Sequence, residues 1–326
     1  MKSISAFPFA CTPLAAALLL VPFLAVAQDY PKRLITIVVP YAAGGGTDSI
    51  ARDLAKLMSD KLGQPVVIDN KGGSGGSIGS NAVAKANPDG YTLLFASSSF
   101  VTHAATDKKS SYDVNKDFAP VAMIGRGPLI VVAHKSTGAK TIPELIAASK
   151  AKPEGLDFCS SGPGTILHLA GELFKQRTGA NLTHVPYKGS GPATTDLLAG
   201  RTQVFFATVP AMLPYVKRGN IELLGVTGPQ RSPLFPNTPT LTEAGVPNYN
   251  VTTWWGLLAP ADTPEGIVTK LNAAVNEVAS KDPLKARLAN EGAEPFSGKP
   301  AEFRSTLASE YTLWKDLIKT ANIKME

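Results

Sequence analysis

A glycine-rich segment near the start of the chain carries residue types suited to holding an anion. Pro40 ends the apolar run 35–39, residues 44–46 are all glycine, and residues 47–49 read Thr-Asp-Ser. Glycine lets a ligand approach the main chain closely, and Thr, Asp and Ser are favoured at helix starts. The first N–H groups of such a helix point unpaired into the loop, where they attract anions. The segment predicts half of a carboxylate-binding cleft, with a simple tight turn as the alternative.

Other short polar segments follow predicted strands and are candidates for the same cleft. Ligands of open α/β sheets bind outside the carboxyl ends of the strands. The serines at 97–99 follow one strand, and residues 160–165 can offer hydroxyl and N–H groups to an anion. Lys188, between Tyr187 and Gly189, could pair with a carboxylate or be a solvated turn lysine. Thr208 ends a further strand and could hydrogen-bond a ligand.

One catalytic motif has to be weighed. The sequence GGSGG at 72–76 matches the G-x-S-x-G nucleophile elbow, with Ser74 as the nucleophile between a predicted strand and helix. Glycine-rich loops match this pattern by chance, however. A hydrolase of that class also needs a histidine late in the chain, and the last one is His184. An exported serine hydrolase is therefore a disfavoured alternative.

Metal and phosphate chemistry lack their sequence motifs. The four histidines are isolated from one another, without an H-E-x-x-H motif or a cysteine pair, so no metal is predicted. The dinucleotide motif G-x-G-x-x-G fails at Ile78, and no P-loop occurs, so no cofactor is predicted. We interpret His168 as a buried structural histidine and Cys159 as a buried, inert thiol.

An alternation of strands and helices positions these segments. β-Branched runs separated by helical patterns predict parallel, doubly wound sheets flanked by helices. A helix opened by Thr141 and Glu144 restarts the alternation in the middle of the chain. The predicted strands are 35–39, 65–70, 91–96, 156–160, 182–187, 202–210 and 221–228.

Two extended segments, 118–135 and 251–260, cross between two α/β lobes. Lobe 1 is predicted as 28–124 plus 255–326, and lobe 2 as 125–254, each a mostly parallel sheet flanked by helices. Two crossings create a cleft that can close by hinge motion. Trp254 and Trp255 lie on the second crossing, where alternation sends them to opposite faces.

The first 27 residues are predicted to be a signal peptide. Lys2 precedes an apolar region that ends in the small-residue pattern Ala25-Val26-Ala27. A membrane anchor is the rival interpretation, but Pro13 and Pro22 leave only a short apolar run. Cleavage after Ala27 would leave 299 of the 326 residues, exported into the periplasm and long enough for two lobes.

The cysteine content and the charge of the chain limit its possible disulfides and binding partners. Cleavage leaves a single cysteine, Cys159, so an internal disulfide is excluded. The formal charge of +6 comes from scattered lysines and arginines, which argues against nucleic acid. Such a surface suits an acidic ligand or an anionic membrane face.

Residues 39–97 resemble the Bug-type extracytoplasmic solute receptors of tripartite tricarboxylate transporters. The sequence VPYAAGGGTDSIARDL opens this segment, and FCSSGPGTILHLAGELFK, VPYKGSGPATTDLLAGRTQVFFATVP and WWGLLAPADTPEGIV are similar to the same family. The resemblance covers essentially all of the chain after the signal peptide. It implies an α/β, two-lobed periplasmic-binding-protein (Venus flytrap) fold that closes on small carboxylates without catalysis.

The resemblance also implies a pocket built mainly from backbone groups, small hydroxyl side chains and water. Many family members carry an acid near the end of the strand that matches FFATVP, where this chain has Ala207 and Thr208. This departure favours a carboxylate without a cationic group, aromatic if Phe100 or a cleft tryptophan stacks on it. With Thr208 included, the candidate ligand-binding residues are Tyr41, Ala42, Ala43, Gly46, Thr47, Asp48, Ser97, Ser98, Ser161, Gly162, Thr165, Tyr187, Lys188, Gly189 and Thr208.

The leading hypothesis is therefore a monomeric receptor that captures a small mono- or dicarboxylate and delivers it to integral-membrane transporter subunits. An exported ligand sensor that signals to a membrane partner is the second hypothesis. Lost gene induction without a transport defect would favour the sensor. Ester turnover that depends on Ser74 would favour the hydrolase.

Overall fold

The computed structural model describes residues 30–41, 43–107, 110–321 and 323. The predicted signal peptide 1–27, its cleavage site and the candidate residue Ala42 lie outside the described residues.

The first third of the chain forms three parallel strands with their helices, followed by one long strand. Strand β1 pairs in parallel with both β2 and β3. Lys61 and Gly63 predict the end of the first helix, and α1 does end at Gly63, whose φ of 66° is the left-handed conformation that glycine adopts most easily. The elements are β1 (Ile35–Val39), α1 (Gly46–Leu62), β2 (Val66–Asn70), α2 (Ser77–Ala84), β3 (Thr92–Ser97), α3 (Ser99–Thr106) and β4 (Phe118–Ala133).

The middle of the chain repeats the arrangement. Strand β5 pairs in parallel with both β6 and β7. Thr141 accepts a hydrogen bond from the Glu144 N–H at 3.3 Å, which confirms the predicted helix start there. The elements are α4 (Ile142–Ala151), β5 (Leu156–Ser160), α5 (Ile166–Thr178), β6 (Leu182–Pro186), α6 (Ser190–Leu198), β7 (Val204–Thr208), α7 (Val209–Lys217) and β8 (Glu222–Val226).

The last part of the chain returns to the first group of strands. Its elements are β9 (Thr252–Pro260), α8 (Glu265–Val278), α9 (Leu284–Asn290), β10 (Glu294–Pro295) and α10 (Pro300–Thr320). The helical spacing of the apolar residues in this last segment predicts one buried face, and α10 indeed buries Phe303, Leu307, Trp314 and Leu317. At the far end of α10, Thr320 Oγ1 accepts a hydrogen bond from Gln176 Nε2 of α5 at 2.8 Å.

Strands β4 and β9 connect the two parallel groups. The strand order is β2-β1-β3-β9-β4-β7-β5-β6, with β8 and β10 also paired to β4. From Phe118 to Pro128, β4 pairs with β9, and from Leu129 to Ala133 it pairs with β7 and β8. The predicted α/β fold with two crossing segments is confirmed, with parallel pairing inside each group of strands and antiparallel pairing along β4 and β9. The division into lobes 28–124 plus 255–326 and 125–254 stays a prediction.

Several local predictions were wrong. Helix α1 begins at Gly46 with Gly45 as its N-cap, so residues 47–49 lie inside the helix. The sequence Thr263-Pro264-Glu265 predicts a helix cap by Thr263, but Pro264 is the N-cap of α8, and the Thr263 hydroxyl donates to the Pro260 carbonyl oxygen. Gly125, Gly127 and Pro128 predict a break in the first crossing, but β4 is continuous from Phe118 to Ala133 and shifts its register against β9 instead.

Candidate functional site

The carboxyl ends of β3 and β7 lie beside the same stretch of the crossing strands. Ser97 at the end of β3 pairs with Trp255, and the next N–H, of Ser98, donates to the Trp254 carbonyl oxygen at 3.1 Å. Thr208 at the end of β7 pairs with Leu129, next to the point where β4 leaves β9. The polar segments that follow these strands therefore approach residues 126–129 and 252–255 from opposite sides.

Asp48 fixes the loop at the start of α1. Its Oδ2 accepts from the Gly44 N–H at 2.8 Å and from Arg52 Nε at 3.0 Å, and its Oδ1 accepts from Asn70 Nδ2 at 2.9 Å. Burial opposes ionisation of Asp48. The hydrogen bonds from Arg52, Gly44 and Asn70 outweigh it and hold the pKa of this carboxyl below its usual value. With only 3 % of its surface exposed, Asp48 positions the loop whose N–H groups begin the helix.

Residues at the start of α1 and the end of β3 are joined to β9. Trp255 Nε1 donates to Thr47 Oγ1 at 3.1 Å. The Ser97 hydroxyl donates to the Tyr41 hydroxyl at 3.0 Å, and the hydroxyls of Ser98 and Thr253 are 3.2 Å apart. The crossing strand therefore orients hydroxyl groups that the sequence assigned to two separate loops.

The two tryptophans face opposite sides of β9, as predicted. Trp254 packs edge-on against Phe303, with 5.1 Å between ring centroids, and its Nε1 donates to Glu310 Oε2 at 2.9 Å. Trp255 lies in the other apolar cluster, together with Ile50 of α1. Only Trp255 has its polar edge at the loop that begins α1.

The segments after β5 and β6 form a single unit. The Tyr187 N–H donates to the Ser160 carbonyl at 3.1 Å, and the Gly189 N–H donates to the Ser161 carbonyl at 3.2 Å. Thr165 caps α5 by accepting from the His168 N–H at 3.4 Å, as its residue type predicts. The hydroxyl of Tyr187 donates to Asp196 Oδ2 at 2.7 Å, whereas Lys188 is exposed. The unit therefore presents backbone and hydroxyl groups on a fixed frame.

A stacked histidine pair lies behind this unit. The rings of His168 and His184 are 3.8 Å apart and nearly parallel at 15°. His184 Nε2 is 2.7 Å from Ser160 Oγ, and the Gly164 N–H donates to His168 Nδ1 at 3.2 Å. Burial lowers the pKa of His168 to about 3 and that of His184 to about 4, with smaller effects of neighbouring charges. The prediction that His168 is a buried structural histidine is confirmed, whereas no role was predicted for His184.

We expect the histidine pair to make the protein less stable in acid. Both rings are neutral in the folded protein, whereas histidines of the unfolded chain take up protons near pH 6.5. The histidine pair therefore leaves the free energy of unfolding unchanged above pH 6.5. Below that pH, the free energy of unfolding falls as the pH drops toward the lowered pKa values of the folded protein. At pH 5 the loss is about 1–2 kcal/mol per histidine. Urea unfolding between pH 7.5 and pH 5 should show a steeper loss in wild type than in His184→Gln. His134→Gln, on a surface turn, is the matched control, and equal slopes in wild type and His184→Gln would contradict the assignment.

Phe100 and Cys159, two residues that the sequence singled out, are both buried. Phe100 is only 1 % exposed, stacked on Tyr112 at 4.9 Å and packed edge-on against Phe118 at 5.1 Å. The idea that Phe100 stacks on an aromatic ligand is therefore wrong, because both of these neighbours bury it. Cys159 is buried as predicted, and burial raises the pKa of its thiol to about 11.

Ser74 lies in an exposed one-turn 3₁₀ helix, residues 74–76, with a φ of 46°. Among the described residues, the Ser74 hydroxyl has no hydrogen bond to a histidine. The imidazole of His103 packs against the Cα of the next residue, Gly75. Within the same described ranges, His, Cys, Asp and Glu side chains form no group of three that could hold a metal ion. No helix in that part of the chain is both long and apolar enough to cross a bilayer.

The structure thus joins the candidate residues in two groups. Tyr41, Thr47, Ser97 and Ser98 are linked around β9, whereas Ser161, Gly162, Thr165, Tyr187 and Gly189 belong to the unit behind which the histidines stack. Ala43 is exposed, and Thr208 is half-buried at the start of α7. Ligand contact by each of these residues stays a prediction.

Comparison with known proteins places this geometry in a family. Residues 50–323 match the model of the tripartite tricarboxylate transporter family receptor. Protein BugT of Bordetella pertussis is 38% identical over 302 residues, which cover 92% of this chain and 93% of BugT.

Solved structures agree with that assignment. An R. palustris protein with adipate has a TM-score of 0.78 at 38% identity, covering 90% of this chain and 99% of its own. MatC from Rhodopseudomonas palustris with bound malate has a TM-score of 0.75 at 32% identity, covering 89% of this chain and 100% of its own. The chain belongs to the tripartite tricarboxylate transporter receptor family, a family of solute-binding receptors that includes the Bug proteins.

Proposed function

We propose that this protein is a periplasmic receptor that binds a small carboxylate and delivers it to the membrane subunits of a tripartite tricarboxylate-type transporter. The observation that carries the proposal is that β3 and β7, one strand from each parallel group, both end beside the crossing strands β4 and β9. Ser97 at the end of β3 pairs with Trp255 of β9, and Thr208 at the end of β7 pairs with Leu129 of β4. We infer that the polar loops after β1 and β3 face those after β5, β6 and β7 across this stretch. Two relatives of similar fold were solved with the dicarboxylates adipate and malate.

The proposed grip on the carboxylate is made by N–H and hydroxyl groups. The first N–H groups of α1 have no partner within the helix, and the helix dipole favours an anion there. The Thr47 hydroxyl accepts a hydrogen bond from Trp255 and keeps its own hydrogen to donate. From the other side, Ser161 and the N–H groups of the unit after β5 complete the pocket. Closure of two lobes would exclude water and strengthen each of these hydrogen bonds.

The predicted signal peptide supports the proposed export, and the receptor family supports the proposed delivery to a transporter. The chain would be cleaved after Ala27 and act as a monomer in the periplasm. The proposed receptor would bind its ligand without catalysing a reaction. It would select the ligand by hydrogen-bond donors that are fixed in position around a closed cleft.

Thermal unfolding of residues 28–326 tests the proposal. Adipate, malate and succinate at millimolar concentration are the probes, and 1,6-hexanediol is the uncharged control for adipate. A ligand present at 100 times its dissociation constant stabilises the folded state by about 2.7 kcal/mol, so at least one carboxylate should raise the unfolding temperature by several degrees. Equal unfolding temperatures with the diol and with every carboxylate would contradict carboxylate binding.

A further inference from the structure

Glu291 lies between the start of α1 and the start of α7. It directly follows α9, and its carboxylate packs on the Cα of Gly46, where an added methyl group would stand 2.7 Å from Glu291 Oε1. The next residue, Gly292, packs on Val209 in the same way, with only 2.5 Å between a methyl group and Val209 Cγ2. This pair of residues therefore touches the first residue of a helix from each parallel group of strands.

Within the part of the chain that the structure describes, the carboxylate of Glu291 has no partner of opposite charge: it accepts no hydrogen bond and forms no ion pair. The nearest cation on its own helix is Arg287, whose Nε donates to Asp53 of α1 at 2.8 Å. Burial raises the pKa of Glu291, and the Arg287 charge opposes this only in part.

The charged groups on the neighbouring elements do not supply the missing cation. Helix α1 contributes Asp48, paired with Arg52, and Asp53, paired with Arg287. On β10, Glu294 is exposed and lies opposite Arg126 of β4, whose guanidinium is stacked over Phe296 at 5.3 Å. A half-buried acid without an ion-pair partner is costly unless something else neutralises it, and the start of α1 supplies only a partial positive charge.

A ligand held as proposed above would bring its carboxylate beside this acid. The proposed anion position lies on the N–H groups of residues 46–48, and Glu291 packs on Gly46 itself. Two neighbouring carboxylates disfavour each other's charged forms. A ligand that carries an ammonium group next to its carboxylate removes the conflict, because the ammonium group can pair with Glu291 while the carboxylate keeps the N–H groups.

We propose that Glu291 is a specificity-determining residue that contacts a ligand ammonium group, so that the site prefers amino carboxylates to plain carboxylates. This inference rests on the proposed function. It also reverses one expectation from the sequence, where the neutral pair Ala207 and Thr208 suggested a ligand without a cation. The acid comes instead from the residue that follows α9, far away in the sequence, and its neighbour Gly292 contacts Val209, the first residue of α7.

Calorimetry with two matched ligand pairs tests the inference. Aspartate and succinate differ only by an ammonium group, as do glutamate and glutarate, and all four are compared at pH 8. Wild type should bind at least one amino member ten-fold or more tighter than its plain partner. Glu291→Gln should abolish this preference by weakening the amino member. Glu294→Gln, which changes an exposed acid three residues away, should keep it.

The outcomes separate the inference from the proposed function. If wild type binds succinate or glutarate at least as tightly as its amino partner, the inference is overturned while carboxylate binding stands. A preference that survives Glu291→Gln overturns it equally. If none of the four ligands binds wild type and the dicarboxylates of the thermal test also fail, the proposed function falls, and this inference falls with it. Without ligand, Glu291→Gln should unfold at the wild-type temperature or above it, because it removes an unpaired, half-buried charge, so any loss of affinity is a loss of ligand contact.

Discussion

Replacing Gly162 with alanine is expected to weaken carboxylate binding by about 10- to 100-fold while the protein stays folded. Gly162 is buried with a φ of 131°, a conformation that residues with a side chain rarely adopt. An added methyl group would also stand 3.2 Å from the Tyr187 carbonyl oxygen. Strain of this kind costs about 1–3 kcal/mol. When the backbone of the free variant relaxes to avoid the strain, ligand binding has to restore the strained conformation. Each 1.4 kcal/mol of that cost lowers the affinity about ten-fold.

The strain would act on the proposed pocket because Gly162 joins several of its groups. Its carbonyl oxygen accepts from the hydroxyls of Thr165 at 2.7 Å and Ser160 at 3.2 Å, and its N–H donates to Ser160 Oγ at 3.1 Å. Relaxing the backbone at Gly162 would move all of these partners. The N–H groups that the loop offers to a ligand would then lose their common direction.

Calorimetry of Gly162→Ala with whichever carboxylate stabilises the wild type measures the effect. Gly245→Ala is the matched control, since Gly245 also has a positive φ of 89° but open space around its Cα and lies away from these loops. The control should lose some stability and keep its affinity. An affinity for Gly162→Ala equal to that of the control would show that the loop does not shape the pocket.

The strands were predictable because their signal is local. Runs such as Ile35–Val39 and Leu156–Ser160 combine apolar residues with breakers at their ends, and their parallel pairing follows from the helices between them. Helices α3 and α7 were missed because each begins within one or two residues of a strand end. Val209 begins α7 directly after Thr208, so the apolar run of β7 masks the change of period.

Only the polar loops that directly follow a predicted strand could be assigned to the site from the sequence. Glycine and hydroxyl residues after β1, β3 and β5 could be read from the sequence, since the carboxyl ends of parallel strands gather at one edge. Contacts between distant elements left no such signal. Trp255 meets Thr47 across 208 positions, and Glu291 reaches Gly46 from the other end of the chain. His184 could have been noticed only by aligning β6 with β5, which places it opposite Phe158, next to Cys159 and Ser160.

Asp48→Ala is expected to cost about 2–4 kcal/mol of folding stability, the second large effect. Removing one partner from a buried set of charged hydrogen bonds leaves the others unpaired. Here the Gly44 N–H, Arg52 and Asn70 would all lose their shared acceptor. Asn70 Nδ2 also donates to the Tyr41 carbonyl at 3.2 Å, so the disturbance would extend through the loop before α1. Affinity for a carboxylate should fall as well, because the N–H groups of that loop would no longer be held in place.

The pH dependence of this loss identifies its cause. The folded pKa of Asp48 is lowered, so its contribution is present above the usual carboxyl pKa and disappears as the pH falls through the folded value. The difference between wild type and Asp48→Ala in urea unfolding should thus be large at pH 7 and shrink below pH 4. Asp60→Ala, at an exposed position on the same helix, should differ little from wild type at either pH. A difference for Asp48→Ala that stays constant down to pH 3 would mean that lost packing, and not the lost charge, holds this loop in the wild-type protein.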